Sequence, residues 1–228
     1  FRYDDYELNP KPDMLLQNAN ILNYQIKTTE DNALSLKIGY LNDIREGLTA
    51  FAQYAESFKA PNYENSNTVF TNYLFQYTVQ PNPNLEAEES QSYEVGLRGF
   101  RDFDSWELAV YNNKVDGFIH YAVVGFSQGL GVYQYQNTEN VDIKGLEFNY
   151  DRVLKEGLAL KVALALSSGD ETSVTGETSP MIEIDPKELI VGLKWNSLDE
   201  RWGLQGLLTL VGKSKSNLEP VCLNNSCD

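Results

Sequence analysis

The sequence predicts an all-β protein, a fragment of an antiparallel transmembrane β-barrel, and three observations support this fold class. First, large apolar residues alternate with small or polar residues along many stretches, which is the period of a strand with one apolar face. Second, many of these stretches reach ten or more residues, longer than the ~5–6 residues usual in globular strands. Third, short and long connections alternate along the chain, as they do between the two sides of an outer-membrane barrel.

The alternation is clearest in the second half of the chain. From Leu158 to Leu166 every second residue is Leu or Val, and the residues between them are Ala or Lys. The same period recurs from Leu189 to Trp195. A soluble sandwich with a one-sided sheet would show this alternation too, so strand length and loop asymmetry decide in favour of the barrel.

About nine strands are predicted in this way. They cover residues 1–8, 34–43, 47–57, 90–100, 105–121, 135–150, 157–168, 186–196 and 203–213. We predict short periplasmic turns near residues 42–47, 101–105, 151–157 and 196–203, and long extracellular loops near residues 9–33, 58–89, 122–133 and 168–184. An aromatic girdle is predicted beside the short turns, at Phe103, Trp106, Tyr150, Trp195 and Trp202. Nine strands leave two unpaired edges, which lipid does not tolerate, so we expect further strands outside this chain.

Composition excludes two classes of protein. The longest apolar runs are far shorter than the ~18 residues that a membrane-spanning helix needs. The formal net charge of −15 leaves no basic stripe for phosphates, so no nucleic acid is expected as a partner.

The sequence also argues against an enzyme. It contains no Gly-x-Ser-x-Gly elbow, no His-Glu-x-x-His pair and no phosphate-binding glycine loop. Acidic neighbours such as Asp4 and Asp5 point to opposite faces of a strand and make poor catalytic pairs. We therefore predict no catalytic residues.

Two features of the loops leave alternatives open. Cys222 and Cys227 lie four residues apart in a polar stretch, which favours a small disulfide loop in an oxidising compartment over a zinc site. The segment from Gly169 to Asp185 is acidic and carries no Lys or Arg. A solvated loop is the favoured interpretation, and a divalent-cation site is the alternative.

Two short boxes bracket one of the long loops. Phe58-Lys59-Ala60-Pro61 ends a predicted strand, and Asn82-Pro83-Asn84-Leu85 precedes the next one. This pair resembles the boxes of TonB-dependent outer-membrane receptors, above all the haem and haemoglobin receptor family. Segments that follow in the same order as in that family, Val110 to Ile119 and Asn137 to Glu147, add to the resemblance. The likeness covers most of the chain.

The resemblance implies both an architecture and a function. The family forms a barrel of about 22 strands in the outer membrane of Gram-negative bacteria, plugged by an N-terminal domain. Residues 1–228 would then be part of a single barrel domain in outer-membrane lipid, with the plug domain and the closing strands absent. The implied protein is a receptor and active transporter for haem, or for iron from a haemoprotein, energised by the TonB complex. Haem or a ferric siderophore would be its transported ligand, with no covalently bound cofactor.

Other functions remain open at this point. A TonB-dependent receptor for a siderophore or another nutrient is the nearest alternative. More distant alternatives are a passive porin, an adhesin and a soluble β-sandwich binding module.

The loop between the boxes departs from the family pattern. Haem receptors of this family usually carry a haem-ligating His there, whereas residues 62–81 contain none. They contain Tyr63, Tyr73 and Tyr77, and tyrosinate can ligate haem iron. The single histidine, His120, lies at the predicted outer end of a strand, where it could bind iron or only end the strand at the headgroup zone. These four residues are the candidate ligand-binding residues, and the missing loop His strengthens the siderophore alternative.

Overall fold

The structure, a computed structural model, describes residues 1–11, 27–137, 140–155, 157–173, 175–181, 184–199 and 201–213. These residues form fifteen strands and one short helix. The strands are β1 Arg2–Leu8, β2 Thr29–Ser35, β3 Lys37–Arg45, β4 Leu48–Lys59, β5 Phe70–Asn72, β6 Tyr77–Gln80, β7 Glu88–Arg101, β8 Asp104–Asp116, β9 Ile119–Ser127, β10 Leu130–Asn137, β11 Asn140–Lys155, β12 Leu158–Thr172, β13 Thr178–Pro180, β14 Glu188–Asn196 and β15 Gly203–Val211. The helix is α1, Tyr63–Asn67, and no helix of the described residues is long and apolar enough to cross a membrane.

Eight of the long strands form one antiparallel sheet in the order β15-β14-β12-β11-β8-β7-β4-β3, with the short β13 paired to β12. Each of the nine predicted strands overlaps at least one observed strand, and all but the first overlap a strand of this sheet, which confirms the all-β antiparallel prediction. The first, β1, pairs with β2 in a separate hairpin. Within the described residues the long sheet does not close on itself.

The register of the long sheet sorts its side chains onto two faces. Phe148 of β11 lies between Leu108 and Leu164 of the neighbouring strands, and Val191 of β14 lies between Val162 and Leu208. These rows form an apolar band across the sheet. A barrel in lipid needs such a band on its outer wall, because the surrounding solvent is hydrocarbon.

The opposite face of the long sheet carries charged side chains and would line the lumen of such a barrel. Arg98 on β7 lies 2.9 Å from Glu107 on β8, and its guanidinium also lies 4.9 Å from the centre of the Phe51 ring. An outward apolar face and a lumenal polar face are the arrangement expected of an outer-membrane barrel.

Tight turns join the strands at the periplasmic end of the sheet, as predicted. Gly47 in the β3–β4 turn has a φ of +70°, and a Cβ atom there would lie 2.1 Å from the Phe100 carbonyl oxygen. This position therefore requires glycine. Phe103 and Trp202, two of the predicted girdle residues, lie at the turns and are strongly exposed.

Three strand predictions were wrong at the extracellular end. The predicted strand over 34–43 spans the end of β2 and the start of β3, which belong to different sheets. The prediction of one strand over 105–121 fails because β8 ends at Asp116, and Gly117, with a φ of +66°, turns the chain into a new strand, β9. The prediction of one strand over 135–150 likewise spans the end of β10 and the start of β11. Residues 122–133, predicted as a long loop, mostly belong to the β9–β10 hairpin, whose turn is only Gln128–Gly129. Alternation continues through these breaks, so the sequence pattern alone does not reveal them.

The strands on the extracellular side of the long sheet, β5, β6, β9 and β10, form a second sheet, which we call the loop sheet. Its order is β5-β6-β10-β9, so it combines the loop between the boxes with the β9–β10 hairpin. β6 and β10 pair in parallel, with Tyr77 opposite Gly131 and Gln80 opposite Gln134. Helix α1 precedes β5, and its N-cap residue is Asn62, whose side chain accepts a hydrogen bond from the Asn65 backbone N–H. Cys222 and Cys227 lie outside the described residues, and their disulfide stays a prediction.

Candidate ligand-binding site in the extracellular loop sheet

The first box fastens the loop sheet to the barrel wall. Lys59 Nζ lies 3.0 Å from both carboxylate oxygens of Glu88, which sits opposite it on β7. The same carboxylate accepts a hydrogen bond of 3.1 Å from the backbone N–H of Ile119, the first residue of β9. Glu88 is buried, whereas Lys59 is mostly exposed. Glu88 thus ties the ends of two barrel strands to the start of the loop sheet.

The second box makes the corresponding link to β10. Asn82 donates a side-chain hydrogen bond of 2.8 Å to the Tyr135 carbonyl, and its side-chain oxygen accepts one of 3.1 Å from the Asn84 backbone N–H. Gln134 donates a bond of 2.6 Å to the Pro81 carbonyl, just before the box. Leu85, the last residue of the box, is buried.

Asn137 completes the base of the loop sheet. Its side-chain oxygen accepts a hydrogen bond of 3.0 Å from the Glu86 backbone N–H. Its amide nitrogen donates to the Glu86 carbonyl at 3.0 Å and to the Gly117 carbonyl at 2.6 Å. The side-chain amides around the second box are therefore engaged in holding the fold. Sequence reasoning found the boxes but missed Glu88, Gln134 and Asn137, because no local pattern links them to the boxes.

One face of the loop sheet carries a cluster of aromatic rings. Tyr121 and Tyr133 stack with their ring centres 5.2 Å apart and their planes 15° apart. Tyr77 meets Tyr133 edge-on at 5.8 Å, and Tyr135 lies 5.1 Å from Tyr121. Burial of the ring and the neighbouring tyrosines raise the pKa of Tyr121, which disfavours its tyrosinate form. We call this surface the aromatic face.

The other face of the loop sheet is lined by amides and His120. Register places Gln136 opposite His120 and Gln134 opposite Gln80. Gln80 is almost fully buried, and its amide nitrogen donates to the Thr78 hydroxyl at 3.1 Å. His120 Nδ1 is buried as well, and no described residue hydrogen-bonds to it.

The four candidate residues lie on different elements of the extracellular loops. Tyr63 lies in α1 at the base of the loop sheet, and Tyr73 lies in the exposed β5–β6 turn. Tyr77 belongs to the aromatic face, whereas His120 shares the opposite face with Gln136. The described residues also hold no group of three or more His, Cys, Asp or Glu side chains that could bind a metal ion.

The fold and the loop sheet define a class of protein, an outer-membrane β-barrel with structured extracellular loops. The particular family follows from sequence comparison: residues 1–220 match the family described as "TonB dependent receptor-like, beta-barrel". The chain belongs to this family. It is accordingly a segment of an outer-membrane protein of a Gram-negative bacterium.

Two relatives with curated names are named for hemoglobin and hemoglobin-haptoglobin. The chain is 25% identical over 191 residues to hemoglobin-haptoglobin utilization protein B of Neisseria meningitidis serogroup C, covering 74% of this chain. It is 26% identical over 234 residues to the probable hemoglobin and hemoglobin-haptoglobin-binding protein 4 of Haemophilus influenzae, covering 93% of this chain. The chain spans 23% of the length of each of these relatives.

Solved structures share the fold at low sequence identity. The hemophore receptor HasR of Serratia marcescens, in complex with its hemophore and heme, matches 92% of this chain and 38% of its own, with a TM-score of 0.66 and 16% identity. The ferric enterobactin receptor PfeA of Pseudomonas aeruginosa matches 82% of this chain and 28% of its own, with a TM-score of 0.60 and 22% identity.

Proposed function

We propose that this chain is part of a single, larger barrel domain whose complete protein takes up haem, or iron from a haemoprotein, with energy delivered through the TonB complex. The observation that carries the proposal is the loop sheet, which the two boxes build from two separate extracellular loops. The relatives of this chain that are named for hemoglobin and hemoglobin-haptoglobin support haem or a haemoprotein as the ligand. The plug domain, the closing strands and the TonB contact would lie in other parts of the protein.

In the proposed mechanism, the loop sheet captures the ligand and the barrel wall directs it inward. The hydrogen bonds of Glu88, Asn82 and Asn137 fix the loop sheet on the barrel, so its side chains are held in place before the ligand arrives. Preorganisation of this kind lowers the entropy cost of binding. The polar lumenal wall, with the Arg98–Glu107 pair, then faces the transport path. Catalysis forms no part of this proposal.

Direct ligation of haem iron would use one residue at a time. Tyr73 and Tyr77 lie on the loop between the boxes, and His120 presents the only imidazole of the chain. We propose these residues and Tyr63 as candidate ligands of the transported haem. Aromatic side chains such as Tyr133 beside Tyr77 could also stack on a porphyrin.

A ferric siderophore is the second candidate ligand. Two observations favour it: the loop between the boxes lacks a histidine, and the fold matches a ferric enterobactin receptor. In that case the protein would be a TonB-dependent siderophore receptor with the same overall mechanism.

A haemin titration of the complete protein in detergent, followed by Soret absorbance, tests the proposal. A saturable, shifted band that is lost on Tyr73→Phe, Tyr77→Phe or His120→Ala would support haem ligation. The variant that loses the band would identify the residue that ligates the haem iron. Tyr40→Phe, which changes an exposed tyrosine on β3 of the long sheet, serves as the matched control. Absence of a shift from a folded barrel would exclude direct ligation, and binding of a ferric catecholate under the same conditions would establish the siderophore alternative.

A further inference from the structure

The outward face of the long sheet changes from apolar to polar towards its extracellular end. On β8 the apolar Val110 lies on this face, and Asn112 and Lys114 follow it there, because alternate residues of a strand share a face. Register places Lys144 and Asp142 of β11 opposite Asn112 and Lys114. We call these four polar residues, Asn112, Lys114, Asp142 and Lys144, the lysine patch.

Two tyrosines mark the level of the membrane interface beside the lysine patch. Tyr93 of β7 lies opposite Asn112, and Tyr54 of β4 lies opposite Tyr93, so the three residues form one row across the sheet. The ring centres of Tyr54 and Tyr93 are 5.0 Å apart. Tyrosines on the outer wall of a barrel are typical of the girdle where hydrocarbon meets the lipid headgroups. Lys144 belongs to the same row and Lys114 to the next one outwards, so both lysines are placed at the level of the headgroups.

The one carboxylate of the lysine patch is already paired. Lys144 Nζ lies 3.0 Å from one Asp142 oxygen, and the Asn112 amide donates a hydrogen bond of 2.5 Å to the other. Lys114 lies opposite Asp142 but forms no ion pair within 4 Å among the described residues. Two lysines and one aspartate leave the patch with a net positive charge, in a chain whose formal net charge is −15. The patch therefore attracts an anion.

Other carboxylates of the outward face lie beside the patch or beyond it, on the side away from the hydrocarbon. Asp170 of β12 lies opposite Asp142, on the side of that residue away from Lys114. Glu89 and Asp116 face each other one row further out than Lys114, about 7 Å along the strands. An anionic group attached to acyl chains comes from the hydrocarbon side, so it meets the lysines before it reaches Glu89 or Asp116.

The wall on the hydrocarbon side of the lysine patch is apolar and accessible. Val95 of β7 and Val110 of β8 lie opposite each other and are 52% and 43% exposed. Together with Tyr93 and the lysine patch they line a shallow groove of about 610 Å³. An apolar floor beneath a cationic rim matches an acyl chain beneath an anionic headgroup. Lysine binds phosphate as a point charge, and basic side chains at the interface bind anionic lipids.

We propose that the lysine patch binds a phosphate group of a phosphorylated lipid in the outer leaflet of the outer membrane, with an acyl chain of that lipid against Val95 and Val110. This inference goes beyond the proposed uptake function. It requires the outer-membrane position of the barrel and does not depend on which iron compound is transported.

The test measures lipid binding to the complete receptor in detergent by native mass spectrometry. The probes are lipid A with its phosphates, the same lipid A without phosphates, and inorganic phosphate. Each lysine near an anionic lipid strengthens binding about fivefold, so Lys114→Gln/Lys144→Gln should weaken binding of phosphorylated lipid A roughly 25-fold. Binding of the dephosphorylated lipid should not change. Lys37→Gln/Lys161→Gln, which removes two exposed lysines from the opposite face of the long sheet, is the matched control and should leave both affinities unchanged.

Three further variants separate the charge effect from a loss of structure. Lys114→Gln alone keeps the Lys144–Asp142 pair and should weaken binding about fivefold. Lys114→Arg/Lys144→Arg keeps both charges and should bind nearly as well as the wild type. Asp142→Asn removes the carboxylate that repels a phosphate, so it should bind phosphorylated lipid A more tightly than the wild type. Damage to the fold would not produce such a gain.

Unchanged binding in Lys114→Gln/Lys144→Gln would overturn the inference. An equal loss in the control with Lys37 and Lys161 replaced would indicate a general effect of charge, and equal affinity for lipid A with and without phosphates would indicate apolar binding alone. Displacement of lipid A by inorganic phosphate would identify a site for a free anion. Each of these three results would also overturn the inference. None of them involves haemin or haemoglobin, so they leave the proposed uptake function untouched.

Discussion

Glu88 should control how firmly the loop sheet is attached to the barrel. Its buried carboxylate accepts the hydrogen bond from the Ile119 backbone N–H and also contacts Lys59. Glu88→Ala leaves that N–H without an acceptor, which costs about 1–3 kcal/mol for a buried group. Loss of the contact with the mostly exposed Lys59 adds at most about 1 kcal/mol. A total near 2 kcal/mol corresponds to roughly a 30-fold rise in the open population of the loop sheet.

Glu88→Gln is the matched variant, because its amide oxygen can still accept from Ile119. Its cost should stay within about 1 kcal/mol, the value of the exposed ion pair. The free energy difference between the two variants therefore isolates the hydrogen bond to the start of β9 from the charge of Glu88.

Hydrogen exchange of the complete receptor, followed by mass spectrometry, measures the opening directly. Peptides from residues 119–137 should exchange about 30-fold faster in Glu88→Ala, whereas peptides from 158–172 in the long sheet should not change. Equal acceleration in Glu88→Ala and Glu88→Gln would show that charge pairing, and not the hydrogen bond to Ile119, anchors the sheet. Unchanged exchange in both variants would refute the anchoring role.

Three further predictions concern the barrel itself. Gly47→Ala should destabilise the barrel by about 2 kcal/mol or more in urea-unfolding experiments, because the φ of Gly47 is positive and a Cβ atom would collide with the Phe100 carbonyl oxygen. Gly39→Ala is the control and should have little effect, because a Cβ atom there meets no atom within 4 Å. Leu208→Lys on the lipid face should cost about 2–4 kcal/mol in the same assay, and Thr209→Lys on the lumenal face much less; equal costs would contradict the assignment of the faces. The pKa of Asp199 is held below its usual range by hydrogen bonds from a side-chain hydroxyl and a backbone N–H. Since its folded pKa is the lower one, the carboxylate stabilises the periplasmic turn above about pH 4 and loses this effect as pH falls through the folded pKa. Proteolysis of the turn should therefore rise only in acid, and Asp199→Asn should remove that dependence.

The long sheet could be predicted from the sequence because lipid imposes a pattern along each whole strand. Residues such as Leu160 and Leu193, paired across β12 and β14, must be apolar for the same reason, and their alternation is visible without knowledge of their partners. Strand positions and tight turns followed directly from this pattern.

The loop sheet could not be predicted in the same way. Alternation continues through Gly117, so the pattern hides the point where β8 ends and β9 begins. The parallel pairing of β6 with β10 and the bond from Asn82 to Tyr135 join residues more than fifty positions apart, and no local signal encodes them. The boxes were found by resemblance, but their anchoring role depends on Glu88 and Asn137. Tyr77 and His120 were grouped as candidates because sequence spacing does not reveal opposite faces of a sheet built from two loops.

The most direct test of the central claim is iron uptake through the complete receptor in an iron-starved Gram-negative host, with and without functional TonB. Haemin and haemoglobin serve as the iron sources, and a host that lacks the receptor gives the background. The account predicts growth on at least haemin that requires both the receptor and TonB. Growth that persists without TonB would indicate a passive pore, and growth supported only by a ferric siderophore would contradict haem uptake.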